Sequence, residues 1–274
     1  MTFTDLALSR RLERAEGHAC GQHAAARGRL APEVGAAWME HAGAYAAFDG
    51  RDSPITQSFG LGLLEPLTPS VLEAFEHFFE SRGARVEHEM SPFAGVDALD
   101  LLCARGYRPI EISSVLCRHV SAVAADPPTN VRVRVIDSSE GDIWTDVCVR
   151  GWSHLPELRE ILHDLGTITL AREATLCFLA EIDGTPAAAA ILALHDGIAL
   201  FGGSTTVPEL RRRGAHTALL HARMRHAHAY GCELAMMVAP PGSDSQRNAE
   251  RTGFRLAYTR TKWRRHPGVK PDSV

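Results

Sequence analysis

The chain has 274 residues, 45% of them hydrophobic and 23% charged, enough for one large domain or two ordinary ones with ample cores. A formal net charge of −4 gives no bulk reason to expect nucleic acid, and no apolar stretch reaches membrane-spanning length. Six scattered cysteines never form a C-x-x-C pair, so reduced thiols are expected.

In chain order, Met1 to Asp5 lacks a basic start followed by an apolar run, so no signal peptide is expected and the cytoplasm is the expected compartment. Leu6 to Arg29 has helical composition, weakened by Gly17, Gly21 and Gly28. Gly83 closes a helix, a strand and a Pro-containing loop follow, and Arg105-Gly106-Tyr107 leads into an apolar strand from Ile110 to Cys117. Residues 124–129, rich in Ala, Pro and polar groups, read as a linker. Ile143 to Trp152 and Pro156 to Leu165 look helical. Leu176 to Ile182 and Ala187 to Leu194 are strands joined at Asp183-Gly184. A turn at His195-Asp196-Gly197 starts a strand that ends at Val207. Leu219, Leu220, Met224 and Ala227 recur at helical spacing, followed by a strand from Leu234 to Val238. Ser243 or Asp244 caps one more helix, and a strand from Leu256 to Trp263 closes the pattern.

The two halves repeat at a common offset, with one residue fewer between the matched segments of the second. Gly83 to Pro92 aligns with Gly231 to Pro240, and Arg105-Gly106-Tyr107 aligns with Thr252-Gly253-Phe254, each followed by an apolar strand. The halves differ at one place. Where the second has Arg213-Gly214-Ala215-His216-Thr217-Ala218, the first has Glu65-Pro66-Leu67-Thr68-Pro69-Ser70. Two prolines remove two N–H donors there, and a glutamate adds negative charge.

Residues 203–220 carry the clearest chemistry. A strand runs into a turn rich in backbone donors and then into a helix, whose first N–H groups lack intrahelical partners and sit at its positive end. With Arg211, Arg212 and Arg213 in front and Gly214 allowing close approach, the arrangement suits a pyrophosphate.

This stretch resembles the acyl-CoA-binding motif of the GNAT N-acetyltransferase superfamily, Arg/Gln-x-x-Gly-x-Gly/Ala. Arg211 fills the first position and Gly214 the fourth, while His216 departs from the sixth. The resemblance spans roughly residues 130 to 265 and implies an α/β fold with a mixed sheet. With the internal repeat it implies a tandem arrangement: a degenerate GNAT-like domain over 1–125, a GNAT domain over 130–265 and a tail over 266–274. It further implies acetyl-CoA as co-substrate, with its pyrophosphate on Arg212, Arg213, Gly214, Ala215, His216 and Thr217, and its thioester near Thr206 and Val207. Ser245 and Asn248 are candidates for contacts with the pantetheine arm.

The implied reaction is direct attack of a primary amine, on a small molecule or peptide, upon the thioester. The family's usual acid, a Tyr, is replaced by Ala249, and its usual Asn by Gly242. Tyr258 is a candidate substitute acid, with a place in the core as its other reading and water as the alternative donor, and His154 and Glu157 are candidate bases beside Glu181 and His195. A binding or sensor protein without turnover is the alternative reading. Nucleic-acid binding through Arg211 to Arg213 and Arg264-Arg265 is disfavoured by the net charge. No metal site is expected: His221, His226 and His228 share one helix but lack an acidic or Cys partner at ligand spacing, and read as a solvated face. Oligomerisation is left open.

Overall fold

The computed structural model describes residues 4–121, 130–153 and 155–266. The elements are α1 (Leu6–Leu30), β1 (Ala37–His41), β2 (Ala44–Phe48), β3 (Gln57–Phe59), α2 (Pro69–Glu80), β4 (Glu87–Met90), α3 (Val96–Ala104) and β5 (Tyr107–His119). After residues 122–129, which hold the expected linker and lie outside the described residues, come β6 (Val131–Val135), α4 (Gly141–Gly151), α5 (Arg159–Leu170), β7 (Thr175–Ile182), β8 (Thr185–His195) and β9 (Ile198–Thr206). The chain then forms α6 (Ala215–Ala229), β10 (Leu234–Ala239), α7 (Asp244–Arg251) and β11 (Arg255–Arg265). The class is α/β with mixed strand directions.

Contacts divide the chain into two units. Unit 1 comprises Met1–Leu116, Ala239–Gln246 and Leu256–Val274; unit 2 comprises Cys117–Val238 and Arg247–Arg255. These differ from the halves read in the sequence, because most of β11 is built into unit 1 while β5 ends in unit 2.

In unit 1, α1 runs unbroken despite its glycines. Asp5 caps it by accepting the Leu8 N–H at 2.8 Å. Gly17 and Gly21 are the points where the helix lies on β1 and β2: a Cβ on Gly17 would come 2.8 Å from the Tyr45 Cβ, and one on Gly21 would come 3.3 Å from the Trp38 ring. Close packing therefore outweighs the low helix propensity of glycine. The strands β1 and β2, absent from the sequence reading, form a hairpin through Ala42-Gly43, both at positive φ, as a tight hairpin turn requires. Next, β2 pairs with β3 antiparallel, β3 with β4 parallel, and β4 with β11 antiparallel from Thr261↔Met90 to Arg264↔Glu87. Leu72, Phe75, Phe79, Leu102 and Tyr107 pack the core beneath α2 and α3.

What fixes β11 there is electrostatic as well as apolar. Arg260 is buried, and its guanidinium meets Glu16 at 2.7 Å, Glu89 at 2.9 Å and Glu13 at 3.3 Å. Tyr258 donates to the Glu13 carboxylate at 2.9 Å. A buried guanidinium stripped of such partners costs several kcal/mol. Arg264 and Arg265 are likewise paired, with Glu87 and Glu80 at 2.7 Å each.

In unit 2, β6, β7, β8 and β9 form an antiparallel series, and β10 adds to β9 in parallel after α6. The β7–β8 and β8–β9 turns, Asp183-Gly184 and Asp196-Gly197, are both at positive φ. Trp144 of α4 donates its indole N–H to the Phe178 carbonyl at 3.0 Å, seating α4 on the sheet. The helix expected from Pro156 is divided into a short turn, Pro156–Leu158, and α5.

Two outcomes are expected. A fragment starting at residue 130 strips β11 of β4 and Arg260 of all three carboxylates, so it should be insoluble or unfolded; a folded, monomeric fragment by circular dichroism and gel filtration would contradict this assignment. Burial pushes the Glu13 carboxyl up to about 7, with Arg260 opposing. A carboxyl raised on folding contributes stability below its unfolded value, which is lost as pH climbs towards 7. Glu13→Gln, which mimics the protonated form, should therefore gain melting temperature relative to wild type between pH 5 and pH 8, and a pH-independent difference would refute the shift.

Candidate functional site

The site grows from the place where two parallel neighbours part. The β9–β10 register is Ile198↔Leu234, Ala199↔Ala235 and Leu200↔Met236, and goes no further, although β9 continues to Thr206 and β10 to Ala239. From Phe201 to Thr206, β9 thus leaves the edge that faced β10 without a ladder partner.

On its other edge β9 carries a bulge. Its register with β8 moves from Ala189↔Thr205 to Ile191↔Gly202, so Gly203 and Ser204 together oppose Ala190. Gly203 sits at φ +57 and is exposed, the geometry of a bulge whose first residue is a left-handed glycine. Here the expectation for Val207 needs correction, while Thr206 lies on the edge of β9 that β10 leaves open. Thr206 is paired with Ala188, and the Val207 N–H donates to the Ala187 carbonyl at 2.9 Å. Val207 is itself buried against Trp144 and Val147. The open edge of β9 therefore ends at Thr206, and the bulge at Gly203 lies within it. The Gly202-Gly203 pair within an apolar strand was the available signal.

After Val207 the chain turns at Pro208–Leu210 and reaches the arginines. Arg211 braces the turn, donating to the Thr206 carbonyl at 3.2 Å and to the Gly151 carbonyl at 3.0 Å. Arg212 adopts φ +61 and is exposed, while Arg213 lies 2.8 Å from Asp183 in an exposed pair worth little. Gly214, at φ +89, is the N-cap of α6, and no side chain caps the helix. The N–H groups of Ala215, His216 and Thr217 therefore stand at the helix's positive end without a partner from the preceding turn. His216 Nδ1 is buried with no partner, and the ring is held neutral: burial first, then the Arg223 charge, lower its pKa to about 4.

The matching place in unit 1 is closed. There Thr68 caps α2 with its own hydroxyl, accepting the Val71 N–H at 3.3 Å, and Pro69 occupies the first turn. Past β3, Leu61 and Leu63 are buried where the second unit exposes loop backbone.

Of the other expected site residues, Ser245 and Asn248 lie half-buried on α7, whose N-cap is Ser243 through its bond from the Gln246 N–H at 3.2 Å. Asn248 accepts from Arg251 at 3.2 Å. Ala249, at the usual Tyr position, is fully buried. Tyr258 belongs to the ion cluster of unit 1, where burial and Glu13 push its phenol well above the ordinary value; it serves packing and charge there rather than proton supply. Glu157 is exposed in its short turn, and Glu181 is paired with Arg134 at 3.0 Å. His154 lies outside the described residues. His226 is no solvated residue: it bonds the Ala222 carbonyl at 3.0 Å and meets Phe178 edge-on at 4.9 Å. Cys177 is buried and its thiol pushed up to about 12, a poor nucleophile. Among the described residues no group of three or more His, Cys, Asp or Glu side chains is placed to hold a metal ion, and no helix is long and apolar enough to cross a membrane.

An uncapped helix start beyond a strand that parts from its neighbour is an arrangement that can receive an anion. Residues 143–241 match the family model of an acetyltransferase (GNAT) domain. Similar solved structures include a GCN5-related N-acetyltransferase from Kribbella flavida, at 17% identity and a TM-score of 0.63, covering 82% of this chain and 87% of that one. Another, from Sphaerobacter thermophilus, has 18% identity and a TM-score of 0.55 over 83% of this chain and 78% of that one. A tandem GNAT protein from the clavulanic acid biosynthesis pathway has 14% identity and a TM-score of 0.55 over 82% and 79%. At such identities the likeness establishes the GNAT fold. No curated protein matches the chain in sequence.

Gly151 shows how tightly this site is built. A Cβ there would overlap the Thr205 hydroxyl and lie 2.8 Å from the Thr205 Cβ. Gly151→Ala should force α4 off β9 and lower stability by about 1–3 kcal/mol. Thermal unfolding checks it, and an unchanged midpoint would show that the contact yields freely.

Proposed function

We propose that the chain is an N-acetyltransferase that moves the acetyl group of acetyl-CoA to a primary amine of a small molecule or peptide. The observation that supports this best is the uncapped N-terminus of α6 behind a left-handed Gly214, just past the segment where β9 has lost β10 as a partner. The residues fit a diphosphate: the N–H groups from Arg212 to Thr217 would hold it, with exposed Arg212 and Arg213 adding charge. The carbonyl of the thioester would lie along the open edge of β9, from the bulge at Gly202–Ser204 to Thr206, rather than at Val207. Ser245 and Asn248 remain the candidates for the pantetheine arm.

In the reaction the amine nitrogen bonds the thioester carbon and the carbon–sulfur bond breaks. The nitrogen gives up a proton and the departing thiolate takes one, so no net proton is consumed. With Ala249 in place of the usual Tyr and Tyr258 tied to Glu13, water is the proposed donor; a thiol of pKa about 8.5 departs without strong acid assistance. The tandem reading is retained as part of the proposal: unit 1 is a degenerate GNAT-like domain whose counterpart turn binds no CoA.

The second reading, an acyl-CoA-binding protein without turnover, is favoured by the same buried Ala249 and by Gly242 at the usual Asn position. One experiment separates them. Calorimetry with acetyl-CoA should give one site, and Gly214→Pro, which removes a donor and cannot adopt φ +89, should raise Kd at least tenfold. Thiol release over a panel of amines then decides: turnover with any amine supports the transferase, and binding without release supports the sensor. Unchanged affinity in Gly214→Pro would overturn both.

A further inference from the structure

Unit 2 contains a buried cation that no carboxylate neutralises. Arg223, nine residues into α6, is fully buried, and no described residue forms an ion pair with it. Its Nε donates to the Leu219 carbonyl at 3.3 Å, and its Nη1 donates to two sheet carbonyls, Ile191 at 3.2 Å and Gly202 at 3.4 Å. The guanidinium carbon lies 4.7 Å from the centre of the Phe201 ring, and Nη2 is buried without a partner. Burial draws the group down to about 9, so it remains charged at neutral pH.

An isolated buried charge is costly, and an apolar side chain of similar volume would pack the same space at lower cost. The charge is therefore held for what it touches. Ile191 and Gly202 are register partners, and Gly202 directly precedes the left-handed Gly203 of the bulge. Arg223 thus grips the sheet at the residue where the extra residue of β9 begins. It donates to both carbonyls of the register pair that adjoins the bulge.

We propose that Arg223 is a positioning residue for the acyl group: by fixing the carbonyls of Ile191 and Gly202, it sets the bulge so that the Gly203–Ser204 backbone is presented to the thioester carbonyl. Its positive charge, on the far side of the strand, also favours negative charge developing on that oxygen. This rests on the acyl-CoA reading above and deepens it. The role is selective, since free CoA has the same phosphates and pantetheine but no acyl carbonyl.

The test compares acetyl-CoA with CoA by calorimetry on the full chain. Arg223→Met should weaken acetyl-CoA by about five- to tenfold, the loss of one or two hydrogen bonds, while CoA affinity stays within about twofold. Arg223→Lys should recover part of the loss. Gly203→Val disturbs the same bulge from its exposed side and should give the same selective loss, so the proposal remains testable if Arg223→Met does not fold. As a second readout, acetyl-CoA labelled with carbon-13 at the carbonyl should show a downfield shift on binding wild type that shrinks in these variants. Equal weakening of both ligands, or no change in either, would assign Arg223 a packing role only and overturn the proposal. A wild-type chain that binds neither ligand would overturn the acyl-CoA reading itself, and this inference with it.

Discussion

Strand β9 loses its parallel neighbour after Leu200 yet stays extended for six more residues. Exposed strand edges ordinarily recruit another strand, and backbone groups left without partners are costly. In unit 2 the separation is held by features on the opposite side of β9. The antiparallel ladder with β8 continues to Thr206, the bulge at Gly203 absorbs an extra residue, and Val207 drops into the core beneath α4. Arg211 then ties the following turn to the end of α4. Each of these supports leaves the β10-facing edge open, and the start of α6 is delivered just past that edge. The geometry of the candidate site therefore follows from where one ladder stops.

The two units resolve the cost of a buried arginine in different ways. In unit 1, three carboxylates surround Arg260, and burial, with smaller contributions from the neighbouring charges of Glu16 and Glu89, is what raises Glu13. Such a cluster acts as a specificity device: β11 satisfies its charge in one register against β4 and not in another. In unit 2, Arg223 meets only carbonyl dipoles and an aromatic face, which gives less compensation. Removing a partner from the first cluster strands a charge. Removing Arg223 strands carbonyls at a place where backbone geometry matters to chemistry.

The helix starts show the same divergence between units. Thr68 and Pro69 leave α2 with fewer free donors in its first turn than α6 has. Gly214 leaves α6 incomplete. An incomplete helix start is a small loss of stability in the free protein, offset when an anion arrives. A helix start that is to receive an anion has a physical reason to keep its cap empty, and a purely structural helix has reason to fill it.

Much of this was legible locally. The order of strands and helices from Leu176 onward, the Gly214 turn, and the contrast between Glu65–Ser70 and Arg213–Ala218 all follow from hydrophobic period, proline and glycine, which act over a few residues. The glycines of α1 misled, because their reason lies in Tyr45 and Trp38, which approach from strands that the sequence reading did not contain. Val207 was misplaced as a donor because its N–H is claimed by Ala187, twenty residues earlier. Nothing near Arg223 marked it as buried under a bulge, and nothing near Tyr258 or Arg260 pointed to Glu13, some 245 residues away. From Leu176 onward the sequence by itself determined which segments are helix or strand and which turn offers donors to an anion, since those are short-range properties of the backbone. Only the tertiary structure decided which strand each segment pairs with and which charges are buried together, because pairing partners and desolvation depend on residues that meet only after the chain has folded.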